Sequence, residues 1–215
     1  IVEALENERN VVLMSPRRIG KTGLIHHVFE NIQDADSAVK CFYMDINATR
    51  SMEQFVQLLG KTVIGKVDTF SQSAMRKINA FFASYKPTMS FDELTGIPTF
   101  SITVQPNQRE ESLKQIFDYL RLSEKRIYIA IDEFQQIAEY PEGRAEALLR
   151  SYIQFLPNVY FIFAGSKQHV MTDMFLSAKR PFYHEFADGV AAAYRQAGIS
   201  GFCKSVDGEE GVVCR

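Results

Sequence analysis

Short apolar runs alternate with apolar residues at helical spacing along this chain, and their order predicts repeated strand–helix units. Val11-Val12-Leu13-Met14 is an unbroken apolar run, the pattern of a strand buried on both faces. A loop over 15–22 containing Pro16 and Gly20 follows, and then Leu24, Ile25, Val28, Phe29 and Ile32 recur at helical spacing. Upstream, Val2, Ala4 and Leu5 lie among acids and predict the end of a short amphipathic helix, broken at Asn10. Phe42-Tyr43-Met44, with Ile46 beyond Asp45, predicts a second strand. Phe55, Leu58 and Leu59, then Met75, Ile78, Phe81 and Phe82, predict helices, as do Leu113, Ile116, Phe117 and Leu120. Ile127 to Ile131 is a third buried strand, ending at Asp132-Glu133. A helix through Leu148, Leu149, Tyr152, Ile153 and Leu156 stops at Pro157, and Val159 to Ala164 is a fourth strand. Val170, Met171, Met174 and Phe175 line a further helix.

Two stretches break this rhythm. Between Lys86 and Val104, Pro87, Pro98 and the Thr95-Gly96 turn signal interrupt the helical pattern. There Phe100, Ile102 and Val104 alternate with Ser101 and Thr103, so a β-hairpin inserted over 87–104 is expected. From Phe186 onward the Ala191-Ala192-Ala193 run and scattered glycines give no strong periodic face. Strands separated by helices imply right-handed crossovers and a mostly parallel sheet covered on both faces. The fold class is therefore α/β, with a core over 1–185 and an atypical tail over 186–215.

Composition narrows the class without changing it. With 215 residues, 46% of them hydrophobic, the chain can build one or two cores without disulfide or metal staples. The net charge of -2 argues against strongly electrostatic nucleic-acid binding. Cys41, Cys203 and Cys214 are an odd number at wide spacing, the pattern of reduced intracellular thiols. The four histidines, His26, His27, His169 and His184, show no metal-ligand spacing. No apolar run approaches bilayer length, so a cytoplasmic location away from membranes is expected. The chain opens on Ile1 rather than Met, so upstream residues are expected.

Ser15-Pro16-Arg17-Arg18-Ile19-Gly20-Lys21-Thr22 fits the phosphate-loop pattern G-x-x-x-x-G-K-[ST] at every fixed position but the first, and Gly23 follows it. Such a loop must turn main-chain N–H groups inward around phosphates, beside a helix N-terminus that favours negative charge. Gly20 permits the tight approach, Lys21 reaches the β- and γ-phosphates, and the Thr22 hydroxyl can ligate Mg²⁺. Ser15 is small enough to be tolerated, although it removes freedom for positive φ. The competing reading is a plain strand–turn–helix connection with a surface lysine. Its position between a buried strand and an amphipathic helix favours the phosphate loop.

Asp132-Glu133 places two carboxylates at the carboxyl end of a buried strand, where parallel sheets put their ligand sites. Asp132 suits Mg²⁺, and Glu133 suits orienting or deprotonating an attacking water. Alternatively, the pair is a helix start with favourable acids in its first turn. Ser166 ends the next strand. It either points toward the γ-phosphate or caps the following helix. Gln135 or Gln136 is a further candidate for the site. Arg180 either reaches phosphates, in cis or in trans, or makes a surface salt bridge. Arg17 and Arg18 belong to the loop or face a partner.

Together with Ile129-Ala130-Ile131-Asp132-Glu133-Phe134-Gln135, Phe163-Ala164-Gly165-Ser166 and Arg180-Pro181-Phe182-Tyr183, the phosphate loop resembles the archaeal-type ATPase family. That family lies in the AAA-like and STAND-like branch of P-loop nucleoside triphosphatases. Phe91-Asp92-Glu93-Leu94-Thr95-Gly96 resembles the insertion of bacterial members, and the likeness runs from about Val2 to Tyr183. The resemblance implies a three-layer fold with strand order 5-1-4-3-2, ATP as nucleotide, and Glu133 as activator of water. It also implies a helical lid and a winged-helix domain. After Tyr183 the sequence shows neither a clear fifth core strand nor room for these domains, and His184-Glu185-Phe186 lacks the arginine often found there. The expected function is Mg·ATP hydrolysis that drives a conformational change in a partner or assembly. The alternatives are a nucleotide-gated interaction switch with little hydrolysis and, by analogy alone, a DNA-associated ATPase.

Overall fold

Residues 1–64, 66–67, 88–91, 98–101, 108–183, 191–193, 201–204 and 213–214 are described by a computed structural model. In chain order the elements are α1 (Val2–Glu6), β1 (Val11–Met14), α2 (Lys21–Ala35), β2 (Lys40–Asp45) and α3 (Met52–Val63). The hairpin strands β3 (Thr88–Phe91) and β4 (Pro98–Ser101) follow, then α4 (Arg109–Arg121) and β5 (Ile127–Asp132). A 3₁₀ turn over Phe134–Glu139 leads to α5 (Ala145–Ile153), β6 (Val159–Gly165) and α6 (Gln168–Leu176). The chain ends with β7 (Ala191–Ala193), β8 (Gly201–Lys204) and β9 (Val213–Cys214). The helix expected around Met75 to Phe82 lies outside the described residues, as do Ile102 and Val104.

Every residue of β1, β5 and β6 is buried, which is why these runs carry no polar alternation. Their side chains still alternate between two cores, because successive strand residues point to opposite faces. Val12, Met14, Ile129, Ile131, Phe161 and Phe163 enter the larger core, which α3, α4, α5 and α6 cover. Val11, Leu13, Tyr128, Ala130, Ile162 and Ala164 enter the smaller one, which α1 and α2 close with Leu5, Ile25, Val28, Phe29 and Ile32. The result is three layers.

The strands run in the order β2-β5-β6-β1-β7-β8-β9. The pairs β2/β5, β5/β6, β6/β1 and β1/β7 are all parallel. Ala191–Ala193 is thus the fifth parallel strand, beside β1, and the expected order 5-1-4-3-2 is complete. The sequence predicts no clear fifth strand there, because the run is only three residues long and alanine is a poor strand former. The strands β8 and β9 then extend the sheet antiparallel, so the boundary expected at 185/186 falls just before residues that join it. The inserted hairpin is present, with Thr88–Phe91 antiparallel to Pro98–Ser101.

An aromatic cluster anchors the carboxyl end of β5. The Phe134 ring lies 4.5 Å from Phe163 and 5.6 Å from both Phe175 and Phe182. Each such pair adds about 0.5–1.5 kcal/mol beyond area burial. Phe134 follows the acidic pair directly, so this packing fixes where β5 ends and where Glu133 turns.

Candidate active site at the carboxyl edge of the sheet

The register of the sheet assembles the site. Met14 pairs with Gly165 across β1/β6, Ile131 with Phe163 across β5/β6, and Asp45 with Asp132 across β2/β5. Because all four strands run in one direction, their carboxyl ends share one edge. There the Ser15 N–H donates to the Gly165 carbonyl at 3.2 Å.

The loop then turns into α2 through two left-handed residues, Arg18 at φ 66° and Gly20 at φ 85°. Ser15 is not among the positive-φ residues, so the expected handicap of a non-glycine at the first motif position does not arise. The strain sits at Arg18 instead, where a side chain in this region costs on the order of 1 kcal/mol. The Ser15 hydroxyl is buried and without a hydrogen-bond partner, in a small hollow behind the loop between Leu13, Ile19 and Leu24. The main-chain N–H groups from Arg17 to Thr22 meet no acceptor among the described residues. Free donors at the start of a 15-residue helix suit an anion.

Lys21 and Thr22 meet the acids of β5. The Lys21 ammonium pairs with Asp132 Oδ1 and lies 3.5 Å from Glu133 Oε1. The Thr22 hydroxyl donates to Asp132 Oδ2 at 2.9 Å, as does the Tyr43 hydroxyl at 2.9 Å. Burial pushes the Asp132 carboxyl toward protonation. Lys21, Thr22 and the Glu133 N–H outweigh it and hold the group below the usual carboxylate range. Asp132 is the last residue of β5, and its carboxylate is engaged across the cleft rather than serving as a helix-start acid.

Glu133 occupies the left-handed region at φ 56°. Its Oε2 accepts from the Ser166 hydroxyl at 2.7 Å and from the Gln135 amide. Ser166 therefore does not cap α6, whose N-cap is Lys167 and lacks a side-chain cap bond. Gly165 makes the Gln135 approach possible. A Cβ on it would lie 2.6 Å from the Met171 sulfur and nearer still to Gln135 Oε1.

An open cleft of about 310 Å³ lies over these groups. Pro16, Arg17, Arg18, Gly20, Lys21 and Thr22 form one wall; Asp45, Asn47 and Glu133 form the other. The donor set fits a magnesium–triphosphate. It joins unpaired N–H groups and an ammonium for phosphate with hydroxyl and carboxylate oxygens for a hard cation. Arg180 does not line the cleft. Its guanidinium bridges Asp173 at 2.7 Å and Glu146 at 3.1 Å.

No family model matches the chain. Two uncharacterized ATP-binding proteins of Methanocaldococcus jannaschii are each 28% identical to it, over 152 and 167 residues. The chain is thus similar to archaeal proteins described as ATP-binding. The matches cover 65% and 73% of this chain but only 41% and 43% of those relatives, so it spans about two fifths of their length. Among solved structures, the Walker-type ATPase of Pyrococcus abyssi is 19% identical with a TM-score of 0.46, over 84% of this chain and 47% of that one. The ORC1 protein of Aeropyrum pernix, solved in complex with DNA, is 14% identical with a TM-score of 0.47, over 80% and 40%.

Three contributors to this edge carry no motif signal. Tyr43 and Asp45 lie on β2 and Asn47 just beyond it, near Asp132 only because β2 pairs with β5. Nothing in the spacing from 43 to 132 signals that meeting. Gln135 was a candidate, and its position two residues beyond Glu133 was the available signal. No helix of the described residues is long and apolar enough to cross a membrane, and no group of three or more His, Cys, Asp or Glu among them could hold a metal.

Proposed function

We propose that this chain binds Mg·ATP in the loop cleft and hydrolyses it to ADP and phosphate, using the cycle to change the conformation of a partner or of an assembly of its own copies. The observation that carries the reading is the meeting of Lys21 and Thr22, from the end of the loop, with Asp132 and Glu133, from another strand. Residues from Ser15 to Gly23 would surround the phosphates, with Lys21 turning from Asp132 to the β- and γ-oxygens. Thr22 and Asp132 would hold Mg²⁺, which neutralises charge on those oxygens when bound. Glu133 is aimed by Ser166 and Gln135 and takes a proton from water as the water oxygen bonds to the γ-phosphorus. The bond from that phosphorus to the bridging oxygen breaks, and ADP leaves with the electron pair. Arg17 and Arg18 line the cleft mouth, where they suit phosphate charge or a partner surface.

Phosphate release and ATP affinity, measured on wild type and Glu133→Gln, test this. Loss of a general base lowers the rate by roughly 10²–10⁴-fold, with ATP still bound. Equal release from both chains refutes Glu133 as the base. Tight ATP binding with no release from wild type instead establishes the nucleotide-gated switch, in which affinity for a partner differs between ATP and ADP forms.

A further inference from the structure

All four lone-pair positions of the Asp132 carboxylate face a donor. Oδ1 accepts from Lys21 and from the Glu133 N–H at 2.8 Å; Oδ2 accepts from Thr22 and Tyr43, each at 2.9 Å. On the proposed function, two of these donors have another task. Lys21 swings to the phosphates, and Thr22 offers its oxygen to the cation while still donating its proton to Asp132. The Glu133 N–H is fixed by the main chain. Tyr43 alone among the side chains has no other role, and it is braced. Its ring packs on the His26 ring with centroids 4.6 Å apart, so the phenol ties β2, α2 and β5 together. A phenol ordinarily ionises only near about pH 10, so Tyr43 is a donor at neutral pH.

We propose that Tyr43 is a positioning residue for the divalent cation. Its hydroxyl fixes the plane of the Asp132 carboxylate, so that Oδ1, once Lys21 leaves it, faces the cation or its water instead of rotating away. This rests on the reading of the cleft as a Mg·ATP site. Tyr43 acts through Asp132, as outer partners of metal ligands do, and losing such a partner changes metal affinity by roughly 10–100-fold.

The test is equilibrium binding of a fluorescent ATP analogue to the full chain, titrated with MgCl2 and repeated in EDTA. For Tyr43→Phe, affinity in EDTA stays at the wild-type value while the Mg²⁺ concentration at half-effect rises roughly tenfold. A Mg²⁺ requirement that is unchanged or lower, or an equal loss in EDTA, overturns the assignment. His26→Ala, at an exposed position, removes the brace without the phenol and shifts the requirement the same way by a smaller factor. If Tyr43→Phe does not fold, the absence of any shift in His26→Ala overturns the assignment by itself. Wild type that binds no ATP refutes the nucleotide site itself. Wild type with a normal Mg²⁺ requirement and unaffected variants refutes only the role of Tyr43.

Discussion

Replacing Lys21 with Met removes the ammonium and keeps much of the aliphatic stem. The Lys21 and Asp132 side chains are 8% and 3% exposed, so the pair is close to fully desolvated. Removing one partner of such a pair costs roughly 3–5 kcal/mol when the remaining charge is left isolated. Asp132 is not isolated, because Thr22, Tyr43 and the Glu133 N–H still donate to it. The loss should therefore fall near about 2–3 kcal/mol at neutral pH. With a urea slope of about 2–3 kcal/mol/M, the midpoint drops by about 1 M. The pH dependence gives a second readout. In wild type the folded Asp132 carboxyl lies below its unfolded value of about 3.9. Its stabilisation is thus complete above about pH 4 and is lost as pH falls through the folded value. Without Lys21, burial is opposed only by the remaining hydrogen bonds, so the folded carboxyl rises relative to wild type and the stabilisation lost on acidification shrinks. Urea melts followed by far-UV circular dichroism between pH 3 and pH 8, in EDTA and without nucleotide, read both effects. A neutral-pH midpoint equal to wild type, with an unmoved acid transition, would refute the claim that Lys21 holds Asp132 ionised.

Two other substitutions probe the surroundings of the cleft. Gly165→Ala places a methyl against Met171 and Gln135, and should lower stability by about 1–3 kcal/mol in a thermal melt while slowing phosphate release, because Gln135 must leave Glu133. Wild-type release from a folded Gly165→Ala chain would show that Gln135 does not aim the base. Arg180→Ala should reduce stability by about 1 kcal/mol and leave ATP affinity unchanged. Its exposed pairing with Asp173 is screened, whereas Glu146 is left buried with a carboxyl that burial already pushes up. A large loss of ATP affinity would place Arg180 in the nucleotide site.

What the sequence determined by itself is local. Four apolar runs, the helical spacings after them, and the order of loop, acids and Gly165-Ser166 made the alternating architecture and the phosphate loop legible. Apolar period and turn chemistry act over a few residues, so they can be read in place. The chemistry of Lys21, Thr22 and Asp132 was legible as residue types, but their meeting was not. Parallel register alone brings residues 21, 43 and 132 to one carboxylate. The fifth strand was hidden for the same reason, since Ala191–Ala193 has no pattern until β1 offers a partner edge. Tertiary structure also set the partners of Ser166 and Arg180, because each side chain had acids within reach on other elements and only packing fixes which one it meets. A glutamate in the left-handed region, directed by a serine from a neighbouring strand, exists only once the sheet has formed.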